Sequence, residues 1–449
     1  MINLKSNKPI VARNYIKSDL ITNGELDKVK FEEFITSKEF GEALSAHLDQ
    51  AYDFCLNQDY YYFGTNQSAD FRPDNSREPT TLVNYASYIT SLFTSFLTTK
   101  PVEYQTTNGD GDQFADFEVD YQAVLNGMSK YGKVYVLTQI SGDEKDNRVL
   151  QPYEVFEIRD SGLDEKLVAR IFITIEDDHY TLHAFTTTSH ITLYLKDNSA
   201  PTIEETVLHP FNDKIPIVEF VNNADQMDDY FAVRNLINFY NVVQSGRIND
   251  RQALLDALLL AYGMNMTEEQ IKDMKKHRTL AGIPKDAKLE YLIKNIQEGE
   301  IEEALKSIKQ DIHRIAKVPD FSDENMYAST SGIAMKYRLF LFDQKASEKK
   351  TNLANGLLNL LNLHYDEATV DDVQVVISDS LPSNDLEISQ MIANLDGKVD
   401  TPTLISQLSF VEDGNEIYDL AKAEQEFGDD VVYNEPIKEE NGELLATED

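Results

Sequence analysis

The sequence predicts an α+β protein built of several domains, and three observations carry that prediction. The chain has 449 residues, which at ~150 residues per domain corresponds to about two to four folding units. Its apolar spacing is helical at first, changes to a period of two across residues 133–223, and then becomes helical again. A long helix starting at Asp229 has an apolar face at both ends but is polar all round in its middle, a pattern that a core helix does not tolerate.

Over residues 27–40, Phe31, Phe34 and Ile35 share one helical face, and over 40–56 Ala43, Leu44, His47, Leu48 and Ala51 share another. Gly64 and the turn-rich, charged Arg72–Pro79 break the pattern. A helix over Leu82–Leu97 stops before Lys100-Pro101, because the residue preceding a proline disfavours the helical conformation. A second helix, Phe114–Tyr131, follows the Asn108–Asp112 turn. The segments Lys133–Ile140, Pro152–Ile158, Leu167–Ile175, Tyr180–Thr186, His190–Leu195 and Ile215–Asn223 alternate or run apolar, which predicts an antiparallel sheet joined by hairpins.

Val233, Leu236, Ile237, Tyr240, Val243, Leu254, Leu255 and Leu258 keep one face over Asp229–Leu260, a helix of roughly 45 Å at 1.5 Å per residue. Its waist, Gln244–Gln252, predicts a helix that crosses between two regions and packs on neighbours only at its ends. A small mixed unit over Met266–Ile293 and a helix over Ile301–Lys317 follow, then a second long helix from Ile333 to about Leu363. A strand is expected within Val373–Pro382 and short helices over Leu386–Ala393, Pro402–Leu408 and Asn415–Phe427. The last stretch, 429–449, is acidic with a single Lys, which predicts disorder.

Lys and Arg total 41 against 78 Asp and Glu, a net charge of −37. A protein that grips nucleic acid does so by releasing phosphate counterions with its own cations, so this chain repels DNA and acidic membranes on average. Cys55 is the only cysteine, which excludes an intrachain disulfide and a cysteine-based zinc site. The first twenty residues do not read as a signal peptide. Neither Tyr85–Thr99 nor Leu254–Tyr262 reaches the ~20 apolar residues of a membrane span.

Catalytic patterns are weak throughout. Gly127-Met-Ser129-Lys-Tyr-Gly132 misses the G-x-S-x-G elbow because its second glycine is one place late. Phosphate-cradling glycine loops are absent. His179 and His183 fall in expected strands and lack the face geometry of a helical zinc pair. Asn108, Asp110 and Asp112 alternate like a calcium loop, but Gln113 and Val119 stand where it needs Gly and Glu. Ser347-Glu-Lys-Lys350 matches S-x-x-K without its companion motifs. The expectation is no active site, no metal and no cofactor.

Several short segments resemble, in order, the portal proteins of tailed phages, in the family typified by the portal of a Bacillus siphophage. They are Thr99-Lys-Pro-Val-Glu-Tyr104, Ser129-Lys-Tyr-Gly-Lys-Val-Tyr135, Gln151-Pro-Tyr-Glu-Val-Phe156 with Asp160, and Lys214-Ile-Pro-Ile-Val-Glu-Phe-Val-Asn-Asn223. Further on come Tyr240-Asn241, Ser245 and Asn249-Asp250, then Val318-Pro-Asp320, Asp323-Glu324, Ser331-Gly-Ile-Ala-Met-Lys-Tyr337 and Ser406-Gln-Leu-Ser-Phe-Val-Glu-Asp413.

The resemblance implies a multi-domain, ring-forming portal fold. A wing of helices and sheet covers 1–228, a first stem helix 229–260, a small α/β clip 261–300 and a second stem helix 301–318. A tunnel loop covers 319–332, a tunnel helix with a wing return strand 333–385, a helical crown 386–428 and the acidic tail 429–449. It also implies a head-tail connector at a capsid vertex of the virion, assembled in the bacterial cytoplasm from roughly twelve copies, through which double-stranded DNA passes non-specifically. The implied partners are the terminase large subunit, a head-completion or adaptor protein, and the major capsid and scaffolding proteins, with no membrane. The expected channel residues are Asp320, Asp323, Glu324, Asn325, Ser329, Thr330, Ser331, Gly332 and Lys336; the expected stem residues are Tyr240, Asn241, Ser245, Asn249 and Asp250. Two other readings stay open here: an acidic soluble enzyme whose site goes unrecognised, and another virion adaptor sharing only the helical stem.

Overall fold

The computed structural model describes residues 15–49, 82–262, 267–269, 272, 288–292, 298–322, 332–378 and 385–429, with short interruptions inside the longer stretches. In chain order the elements begin with β1 (Tyr15–Lys17), β2 (Ile21–Thr22), β3 (Glu25–Leu26), α1 (Lys28–Ile35), α2 (38–49) and α3 (Tyr85–Leu97). Next come β4 (Glu103–Thr106), β5 (Gly109–Asp110), α4 (Tyr121–Tyr131), β6 (Lys133–Ser141), β7 (Glu144–Leu150), β8 (Val155–Asp160) and β9 (Leu167–Ile175). They are followed by β10 (Tyr180–Phe185), β11 (Ser189–Leu195), β12 (Thr202–Leu208), β13 (Ile217–Val221), α5 (Arg234–Leu255), β14 (Leu258–Tyr262) and β15 (Lys288–Leu292). The last are α6 (Glu298–Ala316), α7 (Gly332–His364), α8 (Glu367–Val370), β16 (Val373–Val376), α9 (Asp385–Leu395), α10 (Thr401–Ile405) and α11 (Gly414–Asp429). The chain divides into two compact units, Met1–Glu324 with Arg338–Ser380, and Asn325–Tyr337 with Leu381–Asp449.

In the larger unit the strands expected to form one sheet form two. A six-stranded sheet has the order β1-β8-β9-β10-β11-β12, antiparallel except that β1 runs parallel to β8. A separate three-stranded sheet has the order β13-β6-β7. One face of the larger sheet carries Ile158, Ala169, Ile171, Ile173, Leu182, Ile191 and Leu193 against Phe31, Phe34, Ile35, Phe40 and Leu44 of α1 and α2. The other face meets the smaller sheet through Val155, Phe172 and Phe185 against Tyr135, Leu137, Leu150 and Ile217. A single sheet cannot supply both layers, because each strand alternates its side chains between two faces.

The charges between the two sheets are paired. Arg170 donates to Glu157 at 2.7 Å and to the Ile217 carbonyl at 2.6 Å, and Lys133 donates to Glu219 at 2.9 Å. Burial works against the Glu157 carboxylate, and the nearby Arg170, Lys133 and Arg159 outweigh it and lower its pKa. The largest core gathers α3, α4, β6, β13 and α7 around Phe93, Val124, Met128, Val134, Phe220, Phe342, Leu353 and Leu357. Helix α7 passes so close to β13 that a Cβ on Gly356 would lie 2.3 Å from the Phe220 ring. In the smaller unit Asp400 caps α10 by accepting from Thr403 N, and Gly414 of α11 packs where a Cβ would lie 2.3 Å from Pro402 O.

Several boundaries differ from the sequence reading. The helix expected over Phe114–Tyr131 starts at Tyr121, because Asp120 caps it through Ala123 N. The helix expected to run from Asp229 to Leu260 spans only Arg234–Leu255, and Leu258–Tyr262 is a strand paired with Lys288–Leu292. Tertiary pairing overrides the apolar helical run there. The second stem helix starts earlier than expected, at Glu298, and the last long helix spans Gly332–His364. Beyond Asp429 the expected acidic tail lies outside the described residues, as do Cys55 and most of the expected clip. Among the described residues no helix is long and apolar enough to cross a membrane.

His47 of α2 sets a testable pH dependence. Its ring meets Phe156 edge-on at 5.1 Å, and burial lowers its pKa to about 4. A histidine held below its ordinary value stabilises the fold fully above the unfolded pKa of ~6.5 and loses that contribution as pH falls toward the folded value. The loss approaches about 3 kcal/mol at ~1.36 kcal/mol per unit. Thermal unfolding at pH 7 and pH 5 should therefore show a smaller drop in Tm for His47→Leu than for the wild type; equal drops would show that His47 does not titrate within the fold.

Candidate functional site

Two of the quoted segments, Ser129–Tyr135 and Lys214–Asn223, meet Asp229 and helix α7 in one buried polar cluster. Ser129 ends α4, Asn222 follows β13, and Asp229 opens the approach to α5. Lys349 of α7 donates to Asp229 at 2.5 Å and to Ser129 at 2.5 Å. Lys345, one helical turn earlier, pairs with the same carboxylate at 3.1 Å, and Asn222 donates to it at 3.0 Å. The backbone closes the cluster, with Asp229 N donating to Ser129 O at 3.1 Å and Asn222 N donating to Gly132 O at 2.9 Å. Lys345 and Lys349 lie over the Phe93 ring at 4.8 and 5.1 Å, so their charges face a π-surface as well as a carboxylate.

Burial works against the charged form of Asp229, but Lys349, Lys345 and Asn222 outweigh it and hold the carboxyl well below the usual range. Burial also lowers the Lys349 pKa, and Asp229 opposes the shift. The neighbouring Asp228 is pushed by burial up to about 6, although Arg234 sits 2.5 Å from it. Gly132 follows α4 at φ +84, where its Cβ would fall 2.1 Å from Gln226 O, so the Tyr-Gly step of the Ser129–Tyr135 segment admits only glycine. None of these groups faces an open cleft with a nucleophile beside a base. Ser129, Asn222, Asp229 and Lys349 are buried, and the arrangement locks α4, the end of β13 and α7 together.

A second cluster joins both expected stem helices to the start of the expected tunnel loop. Tyr240 of α5 meets Tyr85 edge-on at 5.2 Å, and Asn241 accepts from Val83 N at 2.8 Å. His313 of α6 packs edge-on to Tyr85 and Tyr88, while Tyr88 donates to Pro319 O at 2.9 Å. Asp320 pairs with Lys309 at 2.9 Å and accepts from Ser322 N at 3.0 Å and from Ser322 Oγ at 2.7 Å. Burial opposes its ionisation, yet Ser322 and Lys309 hold its pKa below the ordinary value. Arg247 pairs with Glu298 at 2.5 Å, tying α5 to α6.

Of the expected stem residues, Asn241 and Ser245 are buried against their own chain. The waist is therefore not packed only at its ends as expected: Ser245 is buried within it, and Arg247 pairs with Glu298 of α6. Asn249 and Asp250 lie further along α5. Of the expected channel residues, Asp320 is held by Lys309 and Gly332 opens α7, with Lys336 following in that helix. Asp323, Glu324, Asn325, Ser329, Thr330 and Ser331 lie outside the described residues. His183 and His190, on adjacent strands, approach each other at 3.1 Å through Nδ1 and Nε2. Among the described residues no three metal-binding side chains cluster.

Sequence reasoning missed Asp229, Lys345 and Lys349. Their only signal was a pair of lysines one turn apart on an otherwise half-apolar helix, the second of them, Lys349, inside the discounted Ser347–Lys350 segment.

The chain matches the family described as phage portal protein, SPP1 Gp6-like, over residues 42–429. It is 24 % identical over 323 residues to the portal protein of Clostridium phage phiCD119, across 67 % of this chain and 68 % of that relative. In fold it is similar to a chain from the neck of an empty gene transfer agent particle, with a TM-score of 0.45 and 13 % identity over 80 % of this chain and 97 % of that one. A chain from the neck of the native particle, computed with C12 symmetry, gives a TM-score of 0.43 and 13 % identity, over 78 % and 99 %. The family match takes in both sheets apart from β1, both buried clusters and both long helices, and two of the segments in which the resemblance was read, those holding Ser129 and Asn222, help to build the first cluster: the chain belongs to the SPP1 Gp6-like phage portal proteins, a family of structural rather than enzymatic proteins.

Proposed function

We propose that copies of this chain close into a ring of about twelve at one capsid vertex, and that duplex DNA passes through its centre during packaging and ejection. The family match over residues 42–429 carries this reading. In it, 1–228 forms the wing, 229–260 and 301–318 the stem, 261–300 the clip, 319–332 the tunnel loop, 333–385 the tunnel helix with the wing return strand, and 386–428 the crown. The terminase large subunit, a head-completion or adaptor protein, and the capsid and scaffolding proteins dock on the outside.

The chain's own chemistry suits a conduit. With a net charge of −37 it offers no counterion release to hold a phosphate backbone. Repulsion at a few ångströms, inside the ~8 Å screening length, keeps the duplex centred without a fixed register. The Arg247–Glu298 pair and the Tyr240–Tyr85–His313 contacts brace α5 and α6 near the two ends of α6, which a strut carrying load between docking regions requires.

Light scattering on the purified protein at micromolar concentration and moderate salt tests the ring. Twelve copies of the 51.1 kDa chain give about 600 kDa, and negative-stain images should show closed rings with a central channel. A single 51.1 kDa species under those conditions would overturn the reading.

A further inference from the structure

The six-stranded sheet ends in an unusual strand. All seven residues of β12, Thr-Ile-Glu-Glu-Thr-Val-Leu, are exposed, including Ile203, Val207 and Leu208 at 37, 46 and 73 %. Among the described residues β12 pairs with β11 alone, so its outer edge presents a row of open N–H and C=O groups. Proteins ordinarily blunt such an edge with Lys, Pro or a very short strand, because it templates pairing with another chain. Here the strand holds no Lys or Pro, and its charges are Glu204 and Glu205.

The opposite edge of the same sheet is β1, where the N-terminal segment enters the fold. In a chain of net charge −37, residues 1–17 contain Lys5, Lys8, Arg13 and Lys17 and no Asp or Glu. Ile10 and Val11, both β-branched, precede β1 by a few residues and suit an extended strand. Residues 1–14 can span up to about 50 Å when extended, whereas five inter-strand spacings make the sheet only about 24 Å wide. On the sheet itself, α1 and α2 pack over one face and β13-β6-β7 packs over part of the other. A head-to-tail contact joins two different sides of the same chain, and β1 and β12 are the two different edges of this sheet.

We propose that residues 1–14 of one copy add as a strand to the exposed β12 edge of its neighbour, with Lys8 and Arg13 meeting Glu204 and Glu205. The inference rests on the ring reading above. Main-chain hydrogen bonds hold the added strand and the opposite charges fix which segment adds. The sheets of successive copies then join into a belt.

Two experiments on the full chain test this. In a Cys55→Ser background, Thr206→Cys is combined in turn with Ile10→Cys, Val11→Cys and Ala12→Cys and oxidised. At least one combination should give a ladder of disulfide-linked multimers on a non-reducing gel while light scattering still reports rings. Rings with no interchain link in any of the three, or a link confined within single chains, would overturn the strand addition and leave the ring reading intact. A chain that never forms rings would overturn both. Independently, Glu204→Lys with Glu205→Lys should lower the salt concentration at which rings dissociate, and adding Lys8→Glu with Arg13→Glu should restore it. An unchanged dissociation midpoint in the first variant, or no recovery in the second, would count against the charge pairing.

Discussion

Lys349→Met should destabilise the larger unit by about 3–5 kcal/mol, the range seen when one partner of a buried ion pair is removed. The methionine fills much of the space but leaves Asp229 fully buried with only Lys345 and Asn222 to hold its charge. Ser129 loses its donor from α7 at the same time. A double-mutant cycle in urea reads the coupling directly. Asp229→Asn should cost much less in the Lys349→Met background than in the wild type, because the charge it removes is already under-compensated. The wild type should also be acid-sensitive in a defined direction. Asp229 is held below its ordinary pKa, so its contribution is present above the unfolded value of ~3.9 and fades as pH falls below it. A Lys349→Met cost below about 1 kcal/mol would show that this pair is not formed in solution.

The second large effect concerns DNA transit. Under the proposed function, Asp323 and Glu324 repeat around the narrowest part of the channel. Changing both to Lys shifts the local charge by four per subunit, or about 48 over about twelve copies. Each new cation pairs transiently with a phosphate at up to ~1 kcal/mol per exposed contact, and many such contacts together retard a sliding duplex. Packaging should fall several-fold while rings and proheads form normally, since an exposed polar loop carries little packing energy. Higher salt should restore part of the rate. Unchanged packaging would mean that these acids do not line the channel.

Much of the α/β layout was legible because its elements announce themselves by apolar period. Leu167–Ile175 is a strand over the range expected for it, and α3, α6 and α7 lie within a few residues of theirs. The strands β7, Glu-Lys-Asp-Asn-Arg-Val-Leu, and β12 were invisible, because their sequences are polar and their existence rests on ladders with β6 and β11. The division into two sheets was equally hidden, since alternation reports that a strand has two faces but not what covers each. The buried cluster was half legible. Ser129 and Asn222 stood inside segments picked out by resemblance, but nothing local tells a lysine paired with an aspartate 120 residues away from the many solvated lysines of a helix.

The long separations inside that cluster have a consequence for how the chain is made. Lys349 lies 220 residues beyond Ser129 and 120 beyond Asp229. While the chain emerges from a ribosome, the two sheets and α1–α5 are complete well before α7 exists, and Asp229 waits without its lysines. Buried without them, its charge is disfavoured by several kcal/mol, so the core around Phe93, over which Lys349 lies, should gain its full stability only once residue 349 has been made. If copies close into a ring as proposed, a chain truncated before Lys349 would enter it without the lysine that locks α7 to Asp229.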